Sequence, residues 1–187
     1  MKKSFNIFKC FLPVIILISC NGTKDNSACP AAQKIELKHF DNLFKVSDEV
    51  YRADQPNSKG MAELENLGIK TILNLRNYHT DDEEAKKTNL ILERVPLEAD
   101  EISYADVVTS LKKLESCKKP VLVHCWHGSD RTGCIIAAYR MTKCGWTKEE
   151  AIKEFQLPKF GFHEGWFPNI LTLLNSIDVE KLKKDIQ

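Results

Sequence analysis

Cys125 and Arg131 stand six positions apart inside the run PVLVHCWHGSDRTG, residues 120–133. An apolar stretch, Val121 to Val123, delivers His124 and Cys125 into a short loop, and a helix-forming stretch from Thr132 to Lys143 follows at once. Strand, tight loop and helix N-terminus in that order build a cradle for a phosphate. The backbone N–H groups of Trp126, His127, Gly128, Ser129, Asp130 and Arg131 can turn inward, and the unpaired donors of the first helical turn add partial positive charge. A cysteine at the bottom of such a cradle is favoured as thiolate, the form that attacks phosphorus. Arg131 can fold back and grip two phosphate oxygens with its planar fork, which a lysine cannot do. Gly128 supplies the backbone freedom such a loop needs. His124 orders the loop and helps hold Cys125 deprotonated, and the Thr132 hydroxyl can donate to the thiolate. His124, Cys125, His127 and Cys134 are also zinc-ligand types. Adjacent His and Cys do not readily aim at one ion, however, and no second Cys-x-x-Cys pair completes a set. No metal or other cofactor is expected.

The elements around this loop follow from pattern and punctuation. Glu49 to Arg52 reads as extended, and Ser58 to Asn66 as a helix with Gly68 just past its end. Lys70 to Leu75 is an apolar strand, Asp81 to Thr88 an acidic-started helix, and Leu90 to Pro96 another strand. Ser103 with Asp106, and Thr147 with Glu150, are capping boxes opening helices. Phe167 to Ser176 reads as a further helix. Strands joined through helices predict an α/β fold with a central, mainly parallel sheet flanked by helices, ligands lying at the carboxyl ends of the strands. Cys125 sits at such an end. Phe160, Phe162, Trp166 and Phe167 read as an aromatic cover over the core, or alternatively as a pocket wall. His39, His79 and His163 have no visible partner in the sequence.

At the loop the chain resembles the cysteine-dependent tyrosine and dual-specificity phosphatases, whose signature is His-Cys, five residues, Arg-Thr/Ser-Gly. The stretches 50–56 (VYRADQP) and 67–76 (LGIKTILNLR) resemble the compact atypical dual-specificity members, including the plant-and-fungi-related branch and its bacterial relatives. Gly145-Trp146 and Glu149 to Ala151 resemble the segment after the signature helix. The resemblance spans about residues 44–175 and implies a protein-tyrosine-phosphatase-like fold. It also implies a general-acid aspartate between strand and helix, where Asp100 stands in the polar loop Glu98 to Glu101. Asp130, just before the arginine, is the rival, because some secreted and lipid-directed members carry an aspartate there. The expected activity is hydrolysis of phosphomonoesters through a phosphocysteine intermediate. Two other readings are an inactive phosphate-binding module and a rhodanese-like sulfurtransferase, though rhodanese-like loops usually lack the Arg-Thr-Gly helix opening. Phosphorylated proteins, lipids and inositols all present the same dianion. In some inositol-directed loops a lysine stands where this chain has Ser129, which weakens the case for highly phosphorylated inositols.

The ends of the chain carry a different message. Met1-Lys2-Lys3 followed by the apolar Phe11 to Ile18 is too short for an ordinary membrane span but suits a secretory signal. Leu17-Ile18-Ser19-Cys20 resembles the bacterial lipoprotein box. Residues 1–19 are therefore expected as a lipoprotein signal peptide, with Cys20 lipidated and 20–40 a polar tether. Residues 41–187 form the phosphatase-like domain, exported and lipid-anchored to a bacterial membrane. A plain signal peptide with an incidental cysteine is the alternative. The 187 residues carry 27 Lys+Arg against 26 Asp+Glu, a formal net charge of +1. Bulk electrostatics thus favours neither nucleic acid nor an anionic membrane, and no nucleic-acid partner is expected. With 43% hydrophobic residues the chain can bury a core without metal or disulfide staples, and a monomer is expected. In an oxidising compartment Cys134 could act as a resolving partner for Cys125. Otherwise it is, with Cys117, a small buried apolar residue. No disulfide pairing follows from the sequence.

Overall fold

The computed structural model describes Met1 and residues 29–187, so the signal peptide and the Cys20 expectation lie outside the described residues. In chain order the elements are β1 (Gln33–Lys34), β2 (Phe44–Lys45), β3 (Val50–Ala53), α1 (Ser58–Leu67), β4 (Thr71–Arg76), α2 (Asp82–Ala85), β5 (Ile91–Leu97), α3 (Tyr104–Ser116), β6 (Val121–His124), α4 (Asp130–Lys143), α5 (Lys148–Phe155), a 3-10 turn at Pro158–Phe160, α6 (Pro168–Ser176) and α7 (Val179–Asp185). They form one six-stranded sheet ordered β1-β2-β3-β6-β4-β5. The pairings β3–β6, β6–β4 and β4–β5 are parallel, and β1–β2 and β2–β3 antiparallel. The expected α/β architecture is present.

β6 owes its central place to a run buried on both faces, Val121-Leu122-Val123-His124. Its alternation divides the core. Val121, Val123 and Cys125 join the cluster under α3, α4, α6 and α7, while Leu122 joins Met61, Leu64 and Ile72 on the α1 face. Both expected capping boxes form, Ser103 with Asp106 and Thr147 with Glu150. Gly68 closes α1 with φ 97°. The helix expected over Asp81 to Thr88 shrinks to Asp82–Ala85: the Asp81 carboxylate makes no cap and bonds elsewhere, and at the far end the Thr88 N–H and hydroxyl turn back onto the Ala85 carbonyl.

The tether expected over residues 20–40 is shorter than its composition suggests. Cys29 is buried and disulfide-bonded to Cys144, 115 positions away. The Trp146 Nε1–H donates to the Cys29 carbonyl at 3.1 Å, and β1 extends the sheet edge. The Ala32 N–H donates to Glu154 Oε1 at 2.9 Å, and Glu154 in turn accepts two bonds from Arg140 at 2.9 and 3.0 Å. A buried ion pair therefore joins α4 to α5 and receives the N-terminal segment. Closing so long a loop removes much unfolded-state entropy. Cys29→Ser should lower unfolding stability by about 2–4 kcal/mol, read by urea denaturation. An unchanged midpoint, or an equal drop on adding reductant to the variant, would contradict the pairing.

Candidate active site

The loop between β6 and α4 is held from behind by its own carbonyls. The Trp126 oxygen accepts from the Gln55 N–H at 2.9 Å, the His127 oxygen from Asn42 Nδ2 at 2.8 Å, and the Gly128 oxygen from Arg52 Nη2 at 2.6 Å. Three successive oxygens thus point outward, which leaves the opposite side of the peptide planes, with their N–H groups, for a ligand. Gly128 has φ 70°, and a Cβ there would lie 2.4 Å from the Ala53 carbonyl oxygen, so the loop rests directly on the end of β3. Cys125 is 1% exposed at the base of this loop, beside the N-terminus of α4.

His124 is fully buried, with Nδ1 3.1 Å from the Cys125 carbonyl oxygen and Nε2 3.0 Å from Asp81 Oδ2. Burial works to raise the Asp81 pKa, but bonding from His124 and Gln55 and the nearby histidines outweigh it and hold the carboxyl below its usual range. Asp81 also accepts from Gln55 Nε2 at 2.8 Å, and Gln55 Oε1 accepts from Arg76 Nη1 at 3.0 Å. A polar chain therefore runs from the cysteine's neighbour to a second guanidinium.

Arg131 donates from Nη1 to the Leu97 carbonyl at 3.3 Å, while its buried Nε has no hydrogen-bond partner among the described residues. A cleft of about 330 Å³ opens over it, lined by Arg76, Asn77, Tyr78, Glu98, Ala99, Trp126, His127, Asp130, Arg131, Trp166 and Phe167. Tyr78, Trp126 and Trp166 are exposed aromatic rings on its rim, and the Arg76 guanidinium lies 4.2 Å from the Trp126 ring centre. Of the aromatic cluster in residues 160–167, Phe160 is buried and Phe162 packs on Phe155. Trp166 and Phe167 instead form cleft wall.

The candidate acids are placed differently. Asp100 is exposed in the turn after β5 and is not among the cleft-lining residues, whereas its neighbours Glu98 and Ala99 are. That turn is pinned by Asn169 Nδ2 on the Ala99 carbonyl at 2.9 Å, and Glu98 accepts from Asn77 Nδ2. Asp130 lines the cleft, but its carboxylate is occupied. The His163 main-chain N–H donates to Oδ1 at 2.9 Å, and His163 Nδ1 lies 2.9 Å from Oδ2. His127, Asp130 and His163 bring ligand atoms within 4.8 Å of one another. The Thr132 hydroxyl is buried without a hydrogen bond among the described residues, so the expected bond to Cys125 is not formed. Cys134 is wholly buried and its thiol is pushed up to about 12 by burial, so it is a core residue here and a poor redox partner.

Sequence reading missed Asn42, Arg52, Gln55, Asp81 and His163. Arg52 and Gln55 lie in the stretch that carried the resemblance, and their types alone assign them no task.

A model of the family described as "Dual specificity phosphatase, catalytic domain" matches residues 50–167, a span holding β3, the loop and the cleft. The chain belongs to the dual specificity phosphatases. Within them it is 35% identical over 124 residues to the dual specificity protein phosphatase TpbA of Pseudomonas aeruginosa, across 64% of this chain and 56% of TpbA. The chain thus spans little more than half the length of that curated relative. It is 28% identical over 158 residues to the inositol diphosphatase DSP5 of Arabidopsis thaliana, covering 76% of this chain and 72% of that one. The crystal structure of TpbA in complex with pTyr superimposes with a TM-score of 0.75 at 30% identity, over 84% of this chain and 96% of that chain.

Proposed function

We propose that this protein is an exported phosphomonoesterase working through a phosphocysteine intermediate. The observation that carries the reading is the loop whose three carbonyls are held outward above a buried cysteine, with the Nε of Arg131 unpartnered beside it. The Cys125 thiolate attacks phosphorus while the inward N–H groups and Arg131 hold the equatorial oxygens as charge spreads over them. Asp100, on the rim turn, protonates the departing oxygen. It then takes a proton from the water that displaces Cys125 and releases phosphate. The chemistry needs no metal. Chelator is expected to leave turnover unchanged, and a chelator-sensitive enzyme would point instead to an ion at His127, Asp130 and His163.

An aryl phosphate on a protein is the substrate class the rim supports best, since Tyr78, Trp126 and Trp166 offer three exposed rings to stack on. Inositol diphosphates are the second reading, favoured by Arg76 as an additional cation in the cleft. Phosphate release from a panel of phosphotyrosine and phosphoserine peptides, phosphoinositides and inositol phosphates tests both. Preference for inositol diphosphates over phosphotyrosine peptides would overturn the first. A phosphate-binding module without turnover, or a sulfurtransferase, would release nothing from any member of the panel.

Export is supported by the Cys29–Cys144 disulfide, which suits an oxidising compartment. We place the lipid on Cys20. Labelled fatty acid should enter the wild type and not Cys20→Ala, which becomes soluble or stays unprocessed; equal labelling of both would leave an ordinary signal peptide.

A further inference from the structure

We propose that Arg52 is a positioning residue for this reaction, fixing the loop from behind and favouring the thiolate of Cys125. The inference rests on Cys125 being the nucleophile.

Arg52 is 1% exposed. In β3 it lies opposite Val123 of β6, on the sheet face that carries Val50, Val121 and α4. Its guanidinium sits over the Phe160 ring at 4.3 Å and donates from Nη2 to the Gly128 oxygen at 2.6 Å, while Nε finds no partner among the described residues. A Cβ placed on Gly133, in the first turns of α4, would be 3.6 Å from that same Nη2.

A buried cation in this position is expensive. It is out of water, its one hydrogen bond among the described residues is to a neutral carbonyl, and it stands at the end of α4 where the helix dipole is positive. Among the described residues two buried arginines, Arg52 and Arg140, share this side of the sheet with one buried glutamate. Glu154 is already doubly bonded to Arg140. Asp130, the other buried carboxylate nearby, is held by His163. Among the described residues the charge of Arg52 is thus left without a bonded counterion. Burial draws its guanidinium down to about 10, against the pull of Glu154, Cys125 and Asp130. A thiolate at Cys125, and then the substrate's phosphoryl group, are the anions that complete this environment.

Among the three donors from outside the loop that hold the carbonyls of Trp126, His127 and Gly128, Arg52 alone is charged. The main-chain N–H of Gln55 and the amide of Asn42 orient peptide planes. Arg52 both orients one and adds a fixed field behind the site. Arg131 lines the cleft on the open side of the loop, and Arg52 backs the loop from the closed one.

The test compares wild type, Arg52→Met and Arg52→Lys by the pH dependence of Cys125 alkylation with iodoacetamide, read by mass spectrometry. Tungstate affinity is measured alongside. Alkylation reports the thiolate without turnover. If Cys125 were not the nucleophile, Cys125→Ser would remain active. If only the present inference were wrong, Cys125→Ser would be dead and the alkylation profile of Arg52→Met unmoved. Arg52→Met should move the midpoint up by about one pH unit, a tenfold loss of thiolate at a given acid pH, and weaken tungstate by roughly tenfold. Arg52→Lys keeps the charge without the fork, so it should hold the midpoint nearer to wild type while still weakening tungstate. A folded Arg52→Met with wild-type midpoint and wild-type tungstate affinity overturns the proposal. Should the methionine variant fail to fold, Arg52→Lys decides. Unchanged tungstate binding in that variant, with lower activity, would reduce Arg52 to a structural residue.

Discussion

Replacing Cys125 by serine is expected to abolish phosphate release, by on the order of 10⁴–10⁶-fold, while tungstate still binds. The cradle does not depend on sulfur. Its carbonyls are held by Gln55, Asn42 and Arg52, and Arg131 is steadied by the Leu97 oxygen. Oxygen for sulfur at a site 1% exposed leaves the backbone undisturbed. It replaces a thiolate with a hydroxyl, and the adjacent His124, with Nδ1 on the Cys125 carbonyl and Nε2 on Asp81, is not free to take that proton. The measurement is single-turnover phosphate release beside equilibrium binding of the analogue. Retention of more than a few per cent of activity would end the case for covalent catalysis at this residue.

Asp100→Asn is expected to lower kcat by about 10²–10⁴-fold on an alkyl phosphate, the usual worth of a general acid. The loss should be much smaller on an activated aryl phosphate, whose leaving oxygen needs no proton. Asp130→Asn should behave otherwise. Its carboxylate receives both the main-chain and ring nitrogens of His163. Removing its charge slackens the segment that brings Trp166 and Phe167 to the cleft, and both substrates suffer alike. Leaving-group sensitivity in Asp130→Asn and not in Asp100→Asn would move the acid into the loop.

What was legible in the sequence was local. The loop could be read because strand, nucleophile, arginine and helix start fall within fourteen consecutive residues, and the capping boxes because each closes over three positions. The supports of the loop were not legible, because each is an ordinary residue whose meaning depends on a distant partner. Arg52 meets Gly128 across 76 positions, Asp81 meets His124 across 43, and His163 meets Asp130 across 33. Residues 29–40 misled for the opposite reason. Their polar composition reads as linker, yet a disulfide, a two-residue strand and one carboxylate bond are enough to fasten them to the domain.

The position of that fastening bears on what the enzyme can meet. Cys144 caps the C-terminal end of α4, and the phosphate loop opens at its N-terminal end. Fourteen helical residues separate them, about 21 Å along the axis. On the proposal that Cys20 carries a lipid, nine peptide steps separate it from Cys29, a covalent reach of at most about 30 Å. From Cys29 onward the chain is therefore fastened at the end of α4 remote from the phosphate loop. If Cys20 carries the lipid as proposed, the fastening at Cys29 would favour an orientation with the phosphate loop turned away from the bilayer. On that proposal, lipid headgroups of the same leaflet would meet the cleft only after the domain had turned.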